Sequence, residues 1–195
     1  MEESKIIQEF KEFITKIPSI TKKQSEKITN YLLNTPKEFS EELINNIRKL
    51  KDKVSFCEKC NFIKEKEKCL NCAREDVWNI LMIVDNIQNA KKIISLDFFK
   101  GYFYVMPYLL DLNNKGNDYN FPQLLEFIRE YNPVETVVVL SPTIEGELTT
   151  THLLKLFKNN NINASRAAIG MPLGSNIEYL DEFTLKQSIE NRKNN

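Results

Sequence analysis

Cys57-Glu58-Lys59-Cys60-Asn61-Phe62-Ile63-Lys64-Glu65-Lys66-Glu67-Lys68-Cys69-Leu70-Asn71-Cys72 contains all four cysteines of this 195-residue chain. Two C-x-x-C knuckles separated by eight residues have the ligand spacing of a closed tetrathiolate, so the stretch reads as one structural Zn²⁺ held by Cys57, Cys60, Cys69 and Cys72. Two disulfides would need an oxidising compartment, and the chain opens Met1-Glu2-Glu3-Ser4-Lys5 without the apolar run of a signal peptide. A redox pair would explain one knuckle and leave the other idle. A catalytic zinc favours His or water at an open position, and the single histidine, His152, is remote in sequence. The charged run 64–68 offers almost nothing to bury, so the metal itself is expected to keep the segment folded.

Outward from the knuckles the apolar period differs on the two sides. Upstream, Phe10, Phe13, Ile14 and Ile17 form one helical stripe, Ile28, Tyr31 and Leu32 a second, and Phe39, Leu43, Ile47, Leu50 and Val54 a third. Thr35-Pro36 reads as the start of the third helix, with Thr as cap and Pro in the first turn. The three helices are expected to share one apolar face. The connection from Ile17 to Lys27 carries Lys22, Lys23 and Lys27 at a helix start. Phosphate suits that position, but an ordinary solvated lysine face is the commoner explanation of such charges.

Downstream, Ile80-Leu81-Met82-Ile83-Val84, Tyr102-Phe103-Tyr104-Val105 and Thr136-Val137-Val138-Val139-Leu140 are short β-rich runs. Helical patterns follow at about Asn86 to Ile94, Phe121 to Tyr131 and Glu147 to Phe157, and 113–118 reads as a polar loop. Strands alternating with helices predict a mainly parallel sheet with right-handed crossovers. In such sheets ligands gather at the carboxyl ends of the strands, where this chain places Asp85, Glu145 and Glu147. Three carboxylates there suit Mg²⁺ and phosphoryl chemistry, and they suit equally a helix N-terminus and a turn with no ligand. In the tail, Ile177-Glu178-Tyr179-Leu180-Asp181 looks like the apolar strand and acid of a Walker B element, but no Gly-Lys-Ser/Thr phosphate cradle accompanies it.

Twenty-seven basic residues balance 27 acidic ones, so nucleic-acid affinity has to come from a local patch or from several copies acting together. No apolar stretch approaches membrane-spanning length.

Ser141-Pro142-Thr143-Ile144-Glu145-Gly146-Glu147, followed by Arg166-Ala167-Ala168-Ile169-Gly170-Met171-Pro172-Leu173-Gly174, resembles paired elements of the RecR family of bacterial recombination mediators. The likeness extends along essentially the whole chain. It implies a multi-domain α+β protein: a helix-hairpin-helix unit at 1–56, a four-cysteine zinc finger at 57–72 and a Toprim α/β domain at 78–170. The Walker-B-like segment at 171–195 would be swapped onto a neighbouring subunit. It also implies a non-enzymatic, cytoplasmic, nucleoid-associated clamp, a homo-oligomer from dimer to tetrameric ring. Such clamps hold gapped or single-strand/duplex junction DNA and act with RecO, and with RecF, to load RecA. Lys23 and Lys27 match the family's DNA-facing positions. Asp85, Glu145 and Glu147 then become RecO-facing acids, or a vestige of Mg²⁺ binding, rather than a catalytic set.

The chain departs from the family pattern at three places. Ser19 and Thr21 replace hairpin glycines, which predicts a looser approach to phosphate or a reshaped hairpin. Asp85 replaces the usual Toprim glutamate, and Pro107-Tyr108 replaces a Gly-containing stretch. Two rival readings follow from the same residues. One is a Toprim-type Mg²⁺-dependent nuclease using Asp85, Glu145 and Glu147, for which no D-x-D pair or nucleophile is found. The other is a RecO-binding adaptor with little DNA binding of its own.

Overall fold

The computed structural model describes residues 4–75, 77–111 and 119–192, and the chain divides into two compact units between Val54 and Ser55. The first unit is helical: α1 (Lys5–Ile14), α2 (Lys22–Asn34) and α3 (Lys37–Lys53). The α1 and α2 helices pack on each other, and the buried Ser25 hydroxyl of α2 donates to the Lys11 carbonyl of α1 at 2.8 Å.

Thr35 does not cap α3. It precedes a proline, which drives it to an extended conformation (ψ 151°), and from there its hydroxyl donates back to the Tyr31 carbonyl at 2.7 Å. It therefore closes α2, while Pro36 stands at the N-cap of α3. Two successive extended residues carry α3 away from the α1–α2 seam. Its stripe of Leu43, Ile47 and Leu50 stays exposed, and α3 buries no residue. The apolar face expected of three helices thus belongs to α1 and α2.

The second unit begins with a small sheet in the order β1-β2-β3, formed by β1 (Val54–Phe56), β2 (Ile63–Glu65) and β3 (Lys68–Cys69). β2 and β3 run antiparallel, with Lys64 opposite Cys69. The main sheet has the order β5-β4-β6-β7, from β4 (Ile80–Val84), β5 (Tyr102–Val105), β6 (Glu135–Val139) and β7 (Ala164–Arg166), with every pair parallel. Crossovers run through α4 (Ile87–Ser95), α5 (Pro122–Tyr131) and α6 (Ile144–Asn159). Leu81, Ile83 and Val84 of β4 are buried with Phe103, Leu124 and Phe157, as a two-sided parallel sheet requires.

The edge strand β7 escapes a search for apolar runs because Ala-Ser-Arg is short and half polar. α6 starts three residues before the expected Glu147, because Thr143 Oγ1 accepts the Gly146 N–H at 3.1 Å and caps the helix there.

The Walker-B-like stretch is not a strand. Ile177–Tyr179 form a 3-10 turn, and the Asp181 carboxylate accepts the Thr184 N–H at 2.9 Å to cap α7 (Glu182–Glu190). No strand among the described residues pairs with it, so its apolar residues stay exposed, Tyr179 at 80%. The expected loop 113–118 lies outside the described residues. No helix among the described residues is long and apolar enough to cross a membrane.

Candidate metal centre and strand-end carboxylates

The two knuckles are built by local turns. Asn61 adopts a left-handed conformation (φ 57°) and donates its N–H to the Cys57 carbonyl at 2.8 Å, folding the first knuckle. In the second knuckle, the Asn71 and Cys72 N–H groups both approach Cys69 Sγ at 3.4 Å. These turns bring the Sγ atoms of Cys57, Cys60, Cys69 and Cys72 within 4.8 Å of one another, the one such metal-binding group among the described residues. Separations of 3.4 Å (Cys60–Cys72), 3.6 Å (Cys60–Cys69) and 4.0 Å (Cys57–Cys72) bracket the edge, about 3.8 Å, of a tetrahedron with Zn–S bonds of about 2.3 Å. The donor set fits a metal ion of zinc's preferences.

The thiols influence one another. Cys60 and Cys72 are hydrogen-bonded to each other at 3.4 Å, and the contact pulls Cys72 down to about 5; the same contact, aided by burial, pushes Cys60 up. Burial likewise raises Cys69. One sulfur is therefore a thiolate near neutrality, and Cys60 and Cys69 have protons to release when a metal binds.

The knuckles also close the edge of the main sheet. Asn71 is 1% exposed; its Nδ2 donates to the Phe103 carbonyl at 2.8 Å and its Oδ1 accepts the Phe103 N–H at 2.9 Å. Two residues along β5, the Val105 N–H donates to the Cys60 carbonyl at 2.9 Å and the Val105 carbonyl accepts from Asn61 Nδ2 at 2.9 Å. All four outward-facing groups of these two edge-strand residues are thus satisfied from within the knuckles, as a neighbouring strand would satisfy them. Lys59 adds an ion pair to Glu130 on α5, and that pair raises the Lys59 pKa.

The three acids stand at the carboxyl end of the sheet but do not form a common ligand set. Asp85 accepts hydrogen bonds from the Ser141 N–H (3.3 Å), the Ser141 hydroxyl and Asn89 Nδ2, tying the β6–α6 loop to β4. Glu147 binds Arg166 in bidentate fashion. Glu145 is exposed. Gly146 between them is required by packing: a Cβ there would lie 1.9 Å from the Ser141 carbonyl oxygen.

In the helical unit, Lys23 and Lys27 lie exposed on α2, whose start is fixed by a reciprocal capping box between Thr21 and Gln24. A tight turn precedes it. Pro18 and Ser19 are its central residues, Ser19 takes φ 68°, and the Ile20 N–H closes onto the Ile17 carbonyl at 3.1 Å. That is the left-handed corner a glycine normally occupies, held here by serine at a steric cost.

The model of the RecR C-terminal region matches residues 170–193. A recombination protein RecR of Bifidobacterium adolescentis is 31% identical over 191 residues, covering 96% of this chain and 95% of the relative. The chain belongs to the RecR family. The RecR of Bifidobacterium animalis subsp. lactis is 33% identical over 194 residues, with 96% and 95% covered, and that of Mycoplasmopsis pulmonis 30% over 181 residues, with 92% and 94% covered.

Within this RecR-family chain, the sequence points to the cysteines, the hairpin lysines and the acids, but not to Asn71, Asn61 or the Arg166–Glu147 pair. Asn71 and Asn61 sit inside or beside the knuckles, where asparagine is unremarkable until β5 is placed next to them. Arg166 carries a signal of sorts, as the one charged residue of a short strand.

Proposed function

We propose that the protein is a DNA-repair and recombination mediator, a non-enzymatic clamp that holds gapped or single-strand/duplex junction DNA. It acts with RecO, and with RecF, in loading RecA. DNA is held through Lys23 and Lys27, by phosphate neutralisation that is independent of base sequence. RecO meets the acid-bearing end of the sheet around Asp85, Glu145 and Glu147. Cys57, Cys60, Cys69 and Cys72 hold one structural Zn²⁺, which would brace the knuckles and through them the β5 edge. The clamp works in the cytoplasm, on the nucleoid when bound to DNA.

The observation that carries this reading is the hairpin. Ser19 takes a left-handed corner, and α2 presents its exposed lysines at a capped helix start. Assembly into a dimer or tetrameric ring reconciles DNA binding with zero net charge, because several weak patches act together by effective concentration. The apolar residues left uncovered in a lone chain, Leu173 and Tyr179 in the C-terminal segment, suit packing on a neighbouring subunit.

The test is a salt titration of DNA binding by wild type and by Lys23→Glu with Lys27→Glu. The double variant is expected to bind more weakly, with the slope of log K against log salt reduced by about 2 per engaged subunit. Unchanged binding across the titration would remove the hairpin from the interface.

A further inference from the structure

Glu145 and Glu147 stand two residues apart in the first turn of α6, yet their surroundings differ. Glu147 is 26% exposed and faces Arg166, 32% exposed. The guanidinium donates through Nη2 to Oε1 at 2.8 Å and through Nη1 to Oε2 at 3.0 Å. A bidentate pair of that burial uses both carboxylate oxygens and cancels the charge. Asp85 is similarly occupied by Ser141 and Asn89. The Glu145 carboxylate is exposed and makes no hydrogen bond or ion pair among the described residues.

Next to Glu145 on the same helix surface, Ile144 (68% exposed) and Leu148 (36% exposed) are neighbours one turn apart. A lone carboxylate bordering apolar side chains repels phosphate. It attracts a cationic side chain set in apolar surroundings, and exclusion of water on docking strengthens that attraction.

Resting on the RecO reading above, we propose a division of labour within this element. Ile144, Glu145 and Leu148 form the contact with a basic, apolar-edged protein surface. Glu147 takes no part in the contact: it is a positioning residue whose pairing with Arg166 locks the first turn of α6 onto β7 and so aims Glu145. Arg166 ends β7, and the following Ala167 N–H is bonded to the Val138 carbonyl at 2.9 Å, so the pair is anchored on the sheet. The close approach of Gly146 to Ser141 holds the other side of the same turn.

RecO binding by full-length, metal-loaded protein tests the division. Glu145→Lys is expected to weaken binding by about 30-fold or more. Glu147→Arg and Arg166→Glu are each expected to weaken it, and the double charge swap to restore it to within about 3-fold of wild type, because the pair is re-formed in reverse. Should the swap fail to fold, Arg166→Lys decides: it loosens Glu147 while leaving its charge. Positioning predicts weaker binding in that variant, whereas direct contact predicts equal or tighter binding and would overturn the proposal. A folded swap that binds as poorly as Glu147→Arg alone would also overturn it. Wild-type affinity in Glu145→Lys and in every other variant would instead sink the RecO reading itself.

Discussion

Replacing Asn71 with alanine is expected to destabilise the sheet-bearing unit by about 4 kcal/mol. Its amide is the sole partner shown for the Phe103 N–H and carbonyl on the outer side of β5, through bonds of 2.9 and 2.8 Å. Asn71 is 1% exposed and Phe103 fully buried, so water does not readily take the place of the amide. Leaving a buried backbone group unsatisfied costs about 1–3 kcal/mol, and two are orphaned here. That is a large part of a typical total stability of about 5–15 kcal/mol, and lowers Tm by roughly 10 °C.

Two companion variants sharpen the expectation. Asn61→Gly keeps the left-handed corner at φ 57° and removes one half-buried bond, the one to Val105, so its cost should be about 1 kcal/mol. Asn71→Asp keeps the acceptor for the Phe103 N–H but sets an oxygen against the Phe103 carbonyl, so it should be nearly as harmful as alanine. Guanidinium unfolding followed by far-UV circular dichroism, at saturating Zn²⁺ so that metal linkage is constant, reads all three. A loss below about 1 kcal/mol for Asn71→Ala, or wild-type stability for Asn71→Asp, would refute the edge-closing role.

Ser19→Gly should stabilise the helical unit by about 0.5–1 kcal/mol. The left-handed corner costs a non-glycine residue roughly 1–2 kcal/mol, and glycine returns only part of that as unfolded-chain entropy. A lower Tm in the variant would contradict the strained-corner account. Metal binding at pH 7 should release at least two protons, since Cys60 and Cys69 are raised above the ordinary thiol value and must ionise to become ligands. Acidification therefore favours release, with affinity falling by about 100-fold or more per pH unit near neutrality. Calorimetry in buffers of different ionisation enthalpy counts the protons, and a release below one would show that the thiols are already ionised.

The helices and strands of this chain were legible where the apolar period was unbroken. β4 is a nearly continuous apolar run because both its faces are buried, and β6 shows the Val137-Val138-Val139 run although only alternate residues of the strand are fully buried. α2 advertises its start through Thr21 and Gln24. The elements that escaped are those whose identity depends on a distant partner. β7 is a strand only because β6 offers it an edge, and Ile177–Tyr179, with which no strand among the described residues pairs, is a helical turn. Thr35 shows the same dependence locally: its hydroxyl could serve the helix on either side, and the extended geometry imposed by Pro36 directs it backward.

What the residues determined by themselves were the four-cysteine cluster, the parallel α/β arrangement and the place of the acids, because knuckle spacing and hydrophobic period are local properties of a chain. Tertiary structure decided which acid is free. Glu145 and Glu147 are chemically alike in sequence, and only the approach of β7 to α6 supplies Arg166 to one and not the other. It likewise gave Asn71 a role in closing the sheet, since a buried backbone edge takes its hydrogen bonds from whatever the fold brings alongside it.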